Sequence, residues 1–102
     1  MKLYTITGTP IRKDDSREVI FHKLAGYTNT VAQVLQKYGH DGFTIYQVQG
    51  YRKGVAETSF KIELAVEDTH LADIDFIAMD LRDIYEQDCV MVTDNNGEVK
   101  FI

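Results

Sequence analysis

The chain has 102 residues, 44% hydrophobic and 26% charged, with a net charge of −5 at pH 7. That is a single domain, long enough to bury a core without metal or disulfide staples. One cysteine excludes an internal disulfide, and the apolar runs fall far short of the ~20 residues a membrane helix needs.

Leu3, Tyr4 and Ile6, with threonines between them, read as a first strand closed by Gly8 and Pro10. No apolar segment follows the N-terminal lysine, so no secretory signal is expected, and a lone cysteine fits a reduced, cytoplasmic setting. The polar run RKDDSRE is a loop. Asp15 and Glu18 have the spacing of a capping box, which starts a helix near Ser16. Ile20, Leu24, Tyr27, Val31, Val34, Leu35 and Tyr38 then recur at the helical period. Gly26 and the TNT at 28–30 are poor helix formers, so a break is expected between helical stretches at 16–25 and 28–38. Gly39 is the left-handed stop.

Two strands follow. In Thr58–Val66 the apolar Phe60, Ile62, Leu64 and Val66 alternate with Lys61, Glu63 and Ala65, which sends one face to a core and the other to solvent. In Phe43–Tyr51 both faces carry apolar residues. A second helix is marked by the stripe Leu71, Ile74, Ile77, Ala78, Leu81, Ile84 and Tyr85, with Asp68 or Thr69 to cap it. CVMV and EVKFI flank TDNNG, whose Asn-Gly is a hairpin signal. The order β, α, β, β, α, β, β predicts an α+β fold: the ferredoxin-like split βαββαβ antiparallel sheet, both helices on one face, with an extra C-terminal strand from a β-hairpin. The other face is left open. Tyr46, Val48 and Tyr51 are expected on it, and with them a homo-oligomer, dimer or trimer, joined through that face.

Charge is split along the chain. Residues 1–61 hold nine Lys/Arg and five Asp/Glu, and residues 62–102 hold two and eleven. A net acidic chain of this kind is not expected to bind nucleic acid directly. No catalytic constellation is visible. His22, His40 and His70 are scattered, so no metal site is expected. Cys89 heads an apolar strand and is expected to be buried packing. No phosphate-loop, dinucleotide or nucleophile-elbow motif is present, and no cofactor is implied.

Gly50, Tyr51, Arg52, Lys53 and Gly54, followed by Glu57, stand apart. Glycines bring backbone N–H groups close to a ligand, while Arg and Lys add charge and donors. This tip suits an anionic small molecule or a partner protein, although Glu57 could simply pair with Arg52 or Lys53 across the turn.

GFTIYQVQGYRKG resembles the second strand and loop entry of the PII-type signalling proteins, and FKIELAVED resembles the strand that follows their loop. The likeness covers residues 42–68 and implies a ferredoxin-like regulatory protein. This chain departs from that family in lacking its long loop and its basic, glycine-rich nucleotide clasp, so ATP binding is not carried over. The set GFTI, GYRKG, Glu57 and a following serine is also similar to short ferredoxin-like proteins associated with phages and mobile elements. The first functional reading is a non-enzymatic regulatory module that binds through the Gly50–Gly54 tip. The alternative is an anti-defence inhibitor whose acidic helix face (Asp73, Asp75, Asp80, Asp83 and Glu86) blocks a basic host protein. A cofactor-free enzyme using a cleft between subunits ranks third, for want of an acid–base pair.

Overall fold

The computed structural model describes all 102 residues. Strand β1 (Lys2–Gly8) is followed by α1 (Arg17–Lys37), β2 (Thr44–Arg52), β3 (Val55–Val66), α2 (Ala72–Ile84), β4 (Met91–Asp94) and β5 (Val99–Phe101). The strands form one antiparallel sheet in the order β2-β3-β1-β4-β5. This is the expected ferredoxin-like α+β arrangement, with β5 extending the β4 edge. The Asn-Gly hairpin forms as expected, with Gly97 at φ 83°.

Alternation along the strands decides the layers. Tyr4, Ile6, Phe60, Ile62, Leu64, Val66 and Val92 point to one side, where Tyr27, Val31, Val34 and Leu35 of α1 and Ile74, Ile77, Ala78 and Leu81 of α2 meet them. Tyr27 is the aromatic centre of this core. Its ring stacks on Phe60 at 4.4 Å and on Tyr85 at 5.0 Å between centroids.

Four expectations are corrected. First, α1 is unbroken over 21 residues. A helical glycine costs about 1 kcal/mol, while Tyr27 and Val31, buried beside the weak segment, each gain about 1.5–3 kcal/mol. Burial wins. The N-cap is Ser16, whose Oγ accepts from the Val19 N–H; Asp15 instead takes the Arg12 N–H and the Lys23 ammonium. Second, neither Asp68 nor Thr69 caps α2. They lie in a 3-10 turn, Asp68–His70, that feeds the helix without a side-chain cap. Third, Cys89 is exposed, because the chain is irregular there and β4 begins only at Met91. Fourth, Tyr51 is not in the row of Tyr46 and Val48: it pairs with Ala56, an odd step away, so its side chain leaves the opposite face.

No helix is long and apolar enough to cross a membrane.

Candidate functional site

The β2–β3 turn is set by two residues with positive φ, Lys53 at 52° and Gly54 at 79°. That is the type I′ geometry whose twist suits a two-residue hairpin. Gly54 takes it without strain, and Lys53 is held in it by the strands on either side. β1 pairs with β3 only as far as Phe60, so Val55–Ser59 are paired with β2 alone. The hairpin therefore leaves the body as a two-stranded ribbon.

The ribbon has two faces. Val48, Gly50 and Arg52, with Ser59, Glu57 and Val55 opposite them, continue the open side of the sheet; Gln49 and Tyr51, with Thr58 and Ala56, form the reverse. Glu57 lies across from Gly50, which has no side chain to cover it. Arg52, Lys53 and Glu57 form no ion pair with one another or with any other residue. The cross-hairpin pairing that the sequence allowed is therefore absent. Tyr51 is 73% exposed, and its hydroxyl donates a long 3.5 Å hydrogen bond to Gln49 Oε1.

Where the ribbon meets the body, a polar seam runs inward. Ser59, the one buried polar residue of the chain, shares a 2.9 Å hydroxyl–hydroxyl hydrogen bond with Thr9. The Thr9 N–H donates to Gln87 Oε1 at 2.9 Å, and Gln87 Nε2 is buried with no partner. Sequence reasoning missed Thr9, Ser59 and Gln87. Only Ser59 carried a signal, as a small hydroxyl at the end of an alternating strand.

The acidic face of α2 is differently disposed. Asp73 Oδ2 lies 2.9 Å from His40 Nε2 and 3.6 Å from His70 Nδ1. Asp75 pairs with Lys100, Asp80 with Lys37 and the Tyr38 hydroxyl, Asp83 with Arg82, and Glu86 with Arg12. Each of the five carboxylates already has a partner within the chain. The structure brings no group of three or more His, Cys, Asp or Glu together in a metal-binding arrangement.

No family model matches this chain, and no curated protein matches it. Solved structures do. A phage SAM lyase in complex with S-methyl-5'-thioadenosine superposes with a TM-score of 0.67 over 99% of this chain and 88% of that one, at 13% identity. A phage SAM lyase in the apo state gives 0.69, with 99% and 87% covered and 16% identity. This chain shares their fold. Those neighbours are small phage proteins, in keeping with the phage-associated resemblance of residues 42–68, and they are enzymes.

Proposed function

We propose that this chain is a phage protein that binds an adenosyl sulfonium, S-adenosylmethionine, at the β2–β3 hairpin and cleaves it to methylthioadenosine. The observation that carries the reading is the set of unpaired charges beside bare Gly50, on a fold shared with phage SAM lyases over nearly their whole length.

The ligand's chemistry fits those charges. Its amino-acid arm carries an ammonium and a carboxylate, and its sulfur is cationic. Glu57 takes the ammonium. Arg52, a planar fork of donors, takes the carboxylate and turns it toward the reacting carbon. Lys53 borders the site at the turn, Tyr51 stands on the reverse face of the ribbon, and Gly50 and Gly54 let backbone and ligand approach closely. In the cleavage, the bond between sulfur and the amino-acid arm breaks and its electron pair passes to sulfur, which becomes a neutral thioether. The vacated carbon is taken by the arm's own carboxylate oxygen, the nearest nucleophile. No proton moves, so this step works without the acid–base pair that the hairpin lacks.

Incubation with S-adenosylmethionine, followed by chromatography, is expected to yield methylthioadenosine and the cyclised amino-acid arm in equal amounts. Arg52→Ala and Glu57→Gln are each expected to lower kcat/KM by about ten- to a hundredfold, the loss of one charge-assisted hydrogen bond. Binding without turnover returns the protein to a ligand-holding role. Neither binding nor turnover at millimolar ligand sinks the reading.

A further inference from the structure

Away from the hairpin, the last two strands carry charge on the helix side of the sheet. Even-numbered residues of β1 and β4 point to that side, as Tyr4, Ile6 and Val92 do in the core. Residues directly opposite in a sheet share a face, so Asp94 lies there beside Tyr4, and Lys100 beside Val92. The β4–β5 turn adds Glu98, whose carbonyl accepts from the Asp94 N–H. Lys2, two residues before Tyr4, completes the set. Together they line a hollow of about 300 Å³, at the small end of the range that holds organic ligands. Its floor is Tyr4 and Val92, both buried. Its rim carries ammonium groups and carboxylates together.

The rim charges are incompletely used. The Asp94 side chain is only 5% exposed. Its Oδ1 accepts the N–H groups of Asn96 and Glu98, at 2.9 and 3.0 Å, and so holds the turn. Its Oδ2 faces Lys2 Nζ at 3.8 Å, an ion pair too long for a hydrogen bond. A buried carboxylate ordinarily fills both oxygens. Glu98 is exposed and has no ion-pair partner in the chain. It lies across from Asp94, and like charges opposite one another in a sheet are destabilising. Lys100 is fixed by Asp75 of α2.

We propose that this hollow is a second ligand site, for a free α-amino acid. The ammonium binds between Asp94 Oδ2 and Glu98, the carboxylate takes Lys2, and the side chain lies on Tyr4 and Val92. A bare cation would satisfy the carboxylates and leave Lys2 idle, and a bare anion would meet two carboxylates. A zwitterion gives each open group a charge-assisted hydrogen bond. The 3.8 Å between Lys2 and Asp94 suits charged groups borne on one carbon, not at the two ends of a long chain. β2 and β5 are opposite edges of the sheet, so this site stands apart from the hairpin and independently of the ligand reading given there.

NMR of the full chain titrated with L-methionine is expected to show saturable shifts at the amides of Tyr4, Val92 and Lys100. Methionine's analogue without the carboxylate, and its analogue without the ammonium, are each expected to bind about tenfold or more weakly, the loss of one charge-assisted hydrogen bond. Lys2→Met and Glu98→Gln should each weaken methionine by a similar factor. Glu98→Gln has no ion pair to break, so its spectrum away from the hollow should match that of the parent chain. No saturable shift at about 10 mM methionine overturns the proposal. So does equal binding of either singly charged analogue, which makes the hollow a plain cation or anion site. Shifts confined to Gly50–Gly54 overturn it as well, since they assign amino-acid binding to the hairpin alone.

Discussion

Asp80 shows how closely the acidic half of the chain is tied down. Burial raises the pKa of its carboxyl, but the Lys37 ammonium at 3.0 Å and the Tyr38 hydroxyl at 2.8 Å bind the charged form and outweigh it, so the group titrates below its ordinary 3.8. Asp15 is lowered too, first by the Lys23 ammonium and then by the Arg12 N–H. A depressed carboxyl contributes stability above its unfolded value and loses it as pH falls through the folded one. The chain is therefore expected to lose stability as pH drops below about 3.8. Asp80→Asn should lower stability at pH 7 by about 0.2–1 kcal/mol and flatten that acid limb, both measurable by denaturant titration across pH. The alkaline side has the opposite sign. Tyr38 is raised above 10.0, first because its hydroxyl donates to Asp80, so its contribution is complete below that pH and fades above it. Tyr38→Phe should remove that fading. Neither pairing of Asp80 was legible in the sequence, since Asp80 and its partners stand 42 and 43 positions apart along the chain. The sequence showed an amphipathic helix with an acidic side; only the fold shows that side to be occupied, Asp80 from the end of α1, Asp75 from Lys100 and Asp73 from His40.

At the scale of elements, α1 is where local preference and tertiary packing disagree. Gly26 and the following TNT predict a break, yet the helix runs through them, because Tyr27 and Val31 are fixed in the core on either side of the weak turn. The glycine has no packing reason to be there: a Cβ at position 26 would meet nothing within 4 Å. Gly26→Ala is therefore expected to stabilise the protein by about 0.5–1 kcal/mol, raising Tm by about 4–8 °C per kcal/mol in a scanning calorimeter. Gly8 is the contrary case, since a Cβ there would come within 3.2 Å of the Tyr27 hydroxyl. Gly8→Ala should be destabilising in the same assay. Strands were more legible than helix ends. The alternation in Phe60–Val66 survives intact because one face is buried and the pleat has a period of two. The β2–β3 tip was legible as glycines around two cations, but its register was not. Tyr51 stands three residues after Val48 in one strand, so the period of two by itself sends it to the reverse face.

For the whole molecule, element order alone led to the sheet topology, because short connections and two amphipathic helices leave few ways to cover one face of a sheet. The seam of Thr9, Ser59 and Gln87 was invisible for the same reason in reverse: its members come from three distant parts of the chain. The split between body and ribbon should appear in hydrogen exchange. Amides of Phe60–Val66, flanked by strands on both sides, are expected to exchange slowest, and those of Val55–Ser59 orders of magnitude faster in dilute solution. Equal protection along all of β3 would mean that the ribbon is held by contacts beyond its pairing with β2. The sheet order carries one more consequence. β1 lies in the middle, between β3 and β4, so it precedes both of its neighbours in the chain, and they are made well apart from one another. One of its edges can close on β3 once residue 66 is made, but the other stays open until residues 91–94 follow, and a nascent chain stalled between the two would present that bare edge to aggregation.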